Sequence, residues 1–306
     1  KEVPDTDHMY TLVTGIFFAD KPVADSVKKK IRKYKYYKNY RFSLRGYCQV
    51  RLLVFDTAEQ KVFGFESNLL EIYNVDKPDG KEHIFIMSMD RTGVNEGQFS
   101  KISKMYIPYV SGGTIYLKNS ATGQLEPSHD GWGEYVTNLN FYNSFDRGDK
   151  RHDWLIVDKV YDANDNVIAS LDDKKLSYPF CRKFIDPHFV GDKTSTRPYL
   201  IRYSDIALTY AEAAGPTDKA YQLVNYIRSR SGLGDLQPNL SLEQFREAVL
   251  NERKFELAFE GNWCYDLRRW NRLHTDIESA KNQGLTADVM VFYPLPSIET
   301  DLNPNL

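Results

Sequence analysis

Apolar positions along this chain change their period several times. In residues 24–61, Tyr47, Val50, Leu53 and Val54 recur at three-to-four spacing, which predicts helix. Residues 62–95 read as short strands and turns. KVFGF comes first, then Asp79-Gly80 as a hairpin turn ahead of the strand HIFIMSM. From 96 to 198, Gly112-Gly113, Gly123, Pro127, Gly131 and Gly133 break any long element, so the stretch reads as loops. One hairpin is expected inside it, WLIVDKVYDANDNVIAS, with Asp165-Asn166 near the turn.

The last third returns to helical spacing. Tyr199–Ala214 repeats apolar positions at Ile206, Tyr210 and Ala213/Ala214. Pro216 suits the first turn of a second helix, which runs to about Ser231 and stops at Gly232. Ala207, Ala211, Ala214 and Ala220 allow close contact between the two, as in a tetratricopeptide-type hairpin. Ser241 with Gln244 is a capping box opening a third helix, which Gly261 ends or bends. The proline-punctuated tail, FYPLPSIETDLNPNL, reads as extended.

That third helix carries the strongest chemical signal. At 100° per residue from Phe245, Val249 falls at about +40°, Glu252 at about −20° and Glu256 at about +20°. Two carboxylates therefore lie within an apolar stripe, one turn apart, with Glu260 following. Buried carboxylates need partners. Arg253, Asp266, Arg268, Arg269 and Arg272 follow closely, and Arg228 and Arg230 stand on the preceding helix. A glycosidase pair would flank an open cleft. Matched arginines on one apolar stripe favour an internal clamp of bidentate ion pairs instead.

Composition narrows the function. Basic and acidic residues nearly cancel, 40 against 42, for a net charge of −2, which argues against nucleic acid or an anionic membrane surface as main partner. The cluster YKYYKNY at 34–40 does not outweigh that balance. The three cysteines, Cys48, Cys181 and Cys264, lie far apart and form no metal or disulfide spacing. No stretch approaches a membrane span. Lys1 opens in mid-sequence, so the chain reads as a processed or truncated product. Asp162, Asn164 and Asn166 mimic a calcium loop, but Val167 replaces the required glycine and no closing glutamate follows. A plain turn is expected there, and no cofactor; a structural calcium ion has no support beyond that spacing. No GxSxG, HExxH, Walker or GxGxxG motif appears, and the six histidines stand singly.

A binding face has some support. The 14% aromatic content includes 21 Tyr, enough to supply stacking surfaces beyond a core. The loop SHDGWGEYVTNLNFYNSFDRGDKR combines Trp132 and Tyr135 with Asp130 and Asn138, and Tyr106 and Tyr109 are weaker candidates of the same type. Sugars present CH faces and hydroxyls, so a sugar site wants exposed rings edged by Asp, Asn or Arg. Trp132 could equally plug a satellite core, and these residues alone leave both readings open.

Four ordered motifs then resemble the SusD/RagB family: RPYLIRYSDIALTYAEAA (197–214), AYQLVNYIRSRSGL (220–233), LSLEQFREAVLNERKFELAFEGNWCYDLRRW (240–270) and FYPLPSIETDLNPNL (292–306). FDRGDKR (145–151) is similar to the family's D-x-R step. Asn262 and Leu295 depart from the usual pattern. The resemblance implies a mainly α, non-enzymatic fold. Its tetratricopeptide-like helical hairpins pack against a loop-rich region with a few short β-hairpins. It also implies one SusD-like domain over 1–306: a helical repeat remnant to 61, a candidate ligand face over 62–198, and C-terminal helices with the Glu/Arg clamp from 199. The implied role is capture of oligo- or polysaccharide at the outer membrane's cell-surface side. The protein would be lipid-anchored there, with a SusC-like TonB-dependent transporter as partner. The alternatives are a helical scaffold binding only proteins, or a carbohydrate-active hydrolase.

Overall fold

The structure is a computed structural model. It describes residues 64–95 and 97–287, together with 24–27, 30 and the backbone of three strands in the first 62 residues. The chain divides into two compact units, residues 1–62 and 63–306.

In the first unit, β1 (Tyr10–Ala19), β2 (Tyr36–Asn39) and β3 (Tyr47–Asp56) form a sheet in the order β1-β3-β2. β1 runs parallel to β3, and β2 antiparallel to it. This corrects the helical reading of 24–61 at its apolar core. In a short apolar run, three-to-four spacing and alternation both fit, so periodicity alone does not decide. YCQVRLLVFD alternates Cys48, Val50 and Leu52 with Gln49 and Arg51, and its aromatic and β-branched residues suit a pleated surface.

The second unit opens with α1 (Leu69–Ile72), β4 (His83–Ile86), α2 (Ile102–Tyr106), β5 (Thr114–Lys118) and β6 (Leu125–His129). Next come α3 (Leu139–Tyr142), α4 (Lys150–Leu155), β7 (Ile156–Val157), β8 (Lys159–Tyr161), β9 (Val167–Ser170), β10 (Phe180–Cys181) and β11 (Tyr199–Arg202). It closes on α5 (Tyr203–Ala214), α6 (Asp218–Arg230), α7 (Leu242–Glu256), α8 (Trp263–Arg269), α9 (Leu273–Asp276) and α10 (Glu278–Asn282). Small sheets thus precede a helical end. β6-β5-β8-β9 is four-stranded, while β4 pairs with β11 and β7 with β10. Asp79-Gly80 is therefore a turn but not a hairpin turn, because the partner of β4 lies more than 100 residues away. KVFGF forms no strand over its described residues. The β8–β9 hairpin forms as expected. The Asp162 carboxylate accepts from the Asn164 and Asn166 backbone N–H groups and the Asn166 amide, so the turn itself uses these oxygens.

Three apolar clusters hold this unit. Ile115, Leu117, Val160 and Phe180 pack beneath the four-stranded sheet. Leu69, Ile72, Leu155, Phe184 and Tyr199 join α1, α4 and β11. Leu208, Ala211, Ala220, Val224, Phe245 and Val249 join α5, α6 and α7. The face of α5 differs from expectation: Ile206, Tyr210 and both terminal alanines face outward, and Ser204, Ala207, Leu208 and Ala211 are buried. Small residues let α6 approach closely, so packing overrides side-chain size. Strand β11 takes the first residues assigned to this helix. Pro216 precedes the N-cap Thr217, whose hydroxyl accepts from the Ala220 N–H. The Ser241–Gln244 capping box forms with both of its hydrogen bonds. Helix α7 ends at Glu256, before Gly261, and Phe259 takes a left-handed φ of 68°. The extended tail lies outside the described residues.

Candidate functional site

Two neighbouring loops form the candidate face. Trp132 N–H donates to Lys104 O at 2.7 Å, Gly133 N–H to Ile107 O at 2.9 Å, and Tyr135 N–H to Met105 O at 2.8 Å. The 130–135 loop is thereby laid along the end of α2. Gly131 is required there, because a Cβ would stand 1.8 Å from the Ile107 carbonyl oxygen. Buried Asp130 fixes the facing loop: its carboxylate accepts from the backbone N–H groups of Val110 (2.8 Å), Ser111 (2.6 Å), Gly112 and Gly131.

This frame presents rings to solvent. Tyr109 is 73% exposed, Trp132 45% and Tyr135 50%, and Val136 and Leu139 beside them are also exposed. Tyr106 is half-buried and lies behind these rings. Its hydroxyl donates to Phe259 O at 2.8 Å, its ring stacks on Phe184, and burial pushes its phenol pKa up. It braces Tyr135 edge-on at 5.2 Å. The Asn138 side-chain oxygen caps α3 by accepting from the Asn140 and Phe141 N–H groups. Of six candidates, three are presented rings and three support the loops. The sequence reading missed Lys104, which lies 5.1 Å over the Trp132 ring and pairs with Asp192. Only the fold brings these positions together.

The glutamates lie in a different environment. Glu252, Glu256 and Glu260 are buried, as are Glu82 and Asp149. Arg202 Nη1 bonds Glu82 at 3.0 Å and Glu256 at 2.7 Å, and its Nε bonds Glu260 at 2.7 Å. Arg230 reaches Glu82 and Glu256. Arg151 joins Asp149 at 2.6 Å to Glu252 at 2.5 Å, and Arg228 reaches Glu252 at 3.2 Å. Lys183 Nζ bonds Glu260 at 2.7 Å and Glu256 O at 2.9 Å. The left-handed turn at Phe259 reverses the chain beyond α7 and returns Glu260 to this cluster. Burial alone would raise the Glu256 pKa, but Arg230, Arg202 and Arg151 hold it well below the usual carboxylate range. Burial opposes ionisation of Glu260 too, and Arg202 and Lys183 outweigh it. Burial pushes the Lys183 pKa down and the neighbouring Cys181 thiol up to about 12.

Arg253, Asp266 and Arg269 form a second, separate cluster. Arg253 bonds Asp266 at 2.8 Å and Asp205 at 2.9 Å, while Arg269 bonds Asp266 and Glu212. Arg268 is half-buried on α8. The expected clamp therefore divides in two, because adjacent helical residues such as Glu252 and Arg253 point about 100° apart. Arg151, Arg202, Lys183, Glu82 and Asp149 were missed as clamp members. Their only signal was the D-x-R step and the Arg202-Tyr203 motif.

A groove of about 660 Å³ beside α5, α7 and α8 is lined by Thr209, Leu242, Arg246 and Trp270. A smaller polar pocket of about 240 Å³ includes Tyr73, Asn119, Glu126 and Arg182. Neither includes Tyr109, Trp132 or Tyr135. No group of three or more metal-ligating side chains occurs among the described residues.

Residues 81–290 match the SusD family, and residues 2–74 match a domain of unknown function (DUF8052). SusD-like protein P25 of Formosa agariphila is 29% identical over 195 residues, covering 58% of this chain and 34% of its own length. SusD-like protein P2 of the same organism is 26% identical over 203 residues, covering 58% and 40%. A solved laminarin binding SusD-like protein matches with TM-score 0.59 and 22% identity, over 80% of this chain and 53% of its own. Surface glycan-binding protein A from Bacteroides thetaiotaomicron, in complex with laminarihexaose, matches with TM-score 0.57 and 18% identity, over 80% and 55%. The chain thus spans 34% and 40% of these curated relatives. The matched span, residues 81–290, contains the buried ionic cluster and the aromatic loops alike, and by it the chain belongs to the SusD family.

Proposed function

We propose that this protein binds oligo- or polysaccharide on the face carrying Tyr109, Trp132 and Tyr135, and does no chemistry on it. The observation that carries the reading is the exposure of three rings on loops fixed by backbone hydrogen bonds and by buried Asp130. Flat rings held rigidly offer apolar area to sugar CH faces at low entropic cost. The glutamates, by contrast, are buried and ion-paired with arginines and Lys183, which disfavours a hydrolase. One protein of the same fold binds laminarin and another is in complex with laminarihexaose, so β-1,3-glucan heads the list of ligands to try.

We further propose that the protein works at the outer membrane's cell surface, held by an N-terminal lipid, and passes glycan to a SusC-like TonB-dependent transporter. Among the described residues no helix is long and apolar enough to cross a membrane. The α5–α6 pair is read as a tetratricopeptide-type repeat. A purely protein-binding role draws some support from the outward Ile206 and Tyr210 and the groove beside Leu242. Gel retardation with a panel of polysaccharides separates the two. Retardation by at least one glycan is expected, and its absence across the panel from a folded protein would leave the protein-binding role.

A further inference from the structure

The aromatic face carries few charges, and they are not equivalent. Lys104 is already engaged: Nζ lies over the Trp132 ring and is ion-paired with Asp192. Its side chain is only 13% exposed. The hydrogen bond from Lys104 in turn holds the Asp192 carboxyl below its ordinary range. This lysine therefore holds one side of the tryptophan ring and has little freedom to meet a ligand's charge.

Glu134 is different. It stands between Trp132 and Tyr135, is exposed, and has no ion pair or hydrogen bond among the described residues. Its charge is felt beneath the loop. The Tyr178 phenol, which lies under Gly133, has its pKa raised first by burial and then by Glu134. The uncompensated charge beside the exposed rings is thus negative. A carboxylate accepts hydrogen bonds from sugar hydroxyls, often two at once. It repels the carboxylates and sulfates of acidic polysaccharides.

Resting on the glycan-binding reading, we propose that this face selects uncharged glycans. Glu134 accepts hydroxyl hydrogen bonds from them and turns acidic chains away, and Lys104 acts as a positioning residue for Trp132. An acidic chain would have to draw Lys104 away from Asp192 to find a cation there.

The test is isothermal titration of the full chain at low ionic strength with two sets of oligosaccharides. The neutral set comprises β-1,3-glucan, α-glucan and mannan fragments, and the acidic set alginate, pectate and sulfated galactan fragments. Binding confined to the neutral set is expected. Glu134→Lys should then strengthen binding of the acidic set about fivefold or more, the effect of one exposed charge at close range. Glu134→Gln should remove the repulsion alone. Preferred binding of the acidic set by the unaltered protein would overturn the selection while leaving glycan binding intact. Neutral binding with no acidic gain in Glu134→Lys would overturn the role of Glu134. No binding by either set, from protein with a folded circular-dichroism spectrum, would overturn the glycan reading and this inference with it.

Discussion

The ionic cluster around Glu256 and the ring face around Trp132 use polar and aromatic groups in opposite ways. In the cluster, Glu82, Asp149, Glu252, Glu256 and Glu260 meet Arg151, Lys183, Arg202, Arg228 and Arg230, five charges against five, mostly out of water. Partners come from elements far apart in the chain: Arg151 and Glu252 are separated by 101 positions, Arg202 and Glu82 by 120. Such a cluster orients β11, α4, α6 and α7 against one another, since each misplacement would leave a buried charge unpaired. On the ring face the polar groups are spent on the loops themselves, through Asp130 and Asn138, and the apolar rings are left to solvent. Groups ion-paired inside build the fold, and groups left at the surface without partners are available to a ligand.

The largest expected effect follows from removing one member of the buried ionic cluster. Glu256→Ala removes one of the two carboxylates that Arg202 and Arg230 share and leaves Glu82 alone between them. It should cost about 3–5 kcal/mol of stability, read from urea unfolding. The ring face would be lost only together with the fold. A fully folded, near-native Glu256→Ala protein would place the cluster outside the fold's determinants.

Acid should act on the same cluster by degrees. Glu256 and Glu260 have folded-state pKa values below the usual range, and in the unfolded chain they return to about 4.3. A depressed carboxylate contributes stability above its unfolded pKa and loses that contribution as pH falls through the folded one. The melting temperature should therefore change little on this account above about pH 5 and fall steeply below about pH 4. Calorimetric scans across that range check it. A melting temperature unchanged between them would mean the two carboxylates gain nothing from their arginines.

Much of the cluster was legible from helical geometry, and much was not. Glu252 and Glu256 declare themselves by standing inside the Phe245–Val249 stripe, and a capped helix keeps that geometry. Arg151, Arg202, Lys183 and Glu82 arrive from a short helix, strand ends and a loop, where no periodicity marks an inward side. Glu260 joins the cluster as its spacing suggested, but by another route, because the helix stops at Glu256 and the chain turns back at Phe259. The ring loops showed composition but not exposure. Trp132 and Tyr106 look alike in sequence, yet one faces solvent and the other braces the core through Phe259. That distinction depends on backbone hydrogen bonds between segments, to which side-chain patterns are blind. The strands of the first unit were misread for a related reason, since a short apolar run fits both periods.

The ring face should respond in the opposite sense to the cluster. Trp132→Ala and Tyr135→Ala remove exposed surface, so unfolding should shift by less than about 0.5 kcal/mol. Glycan retardation should weaken about tenfold for each ring, as for a binding residue whose truncation costs more than about 1 kcal/mol. Stability lost without any change in binding would make both rings plugs over a satellite core.

The smallest effect sharpens the comparison most, because it uses the same chemistry in another environment. Arg269 resembles Arg202 on paper: its guanidinium reaches both oxygens of Glu212 and one of Asp266. Its side chain is 42% exposed, however, whereas that of Arg202 is 1% exposed. Water solvates either partner once the pair is broken, and salt screens the attraction while it lasts. Arg269→Ala should thus cost no more than about 1 kcal/mol, and less again in high salt. Arg202→Ala should cost several times more and respond little to salt, because Glu82, Glu256 and Glu260 would stay buried without it. Urea unfolding of both variants at two ionic strengths measures the difference. Equal losses would mean that burial does not separate the clusters and that bidentate geometry alone sets the strength of these pairs.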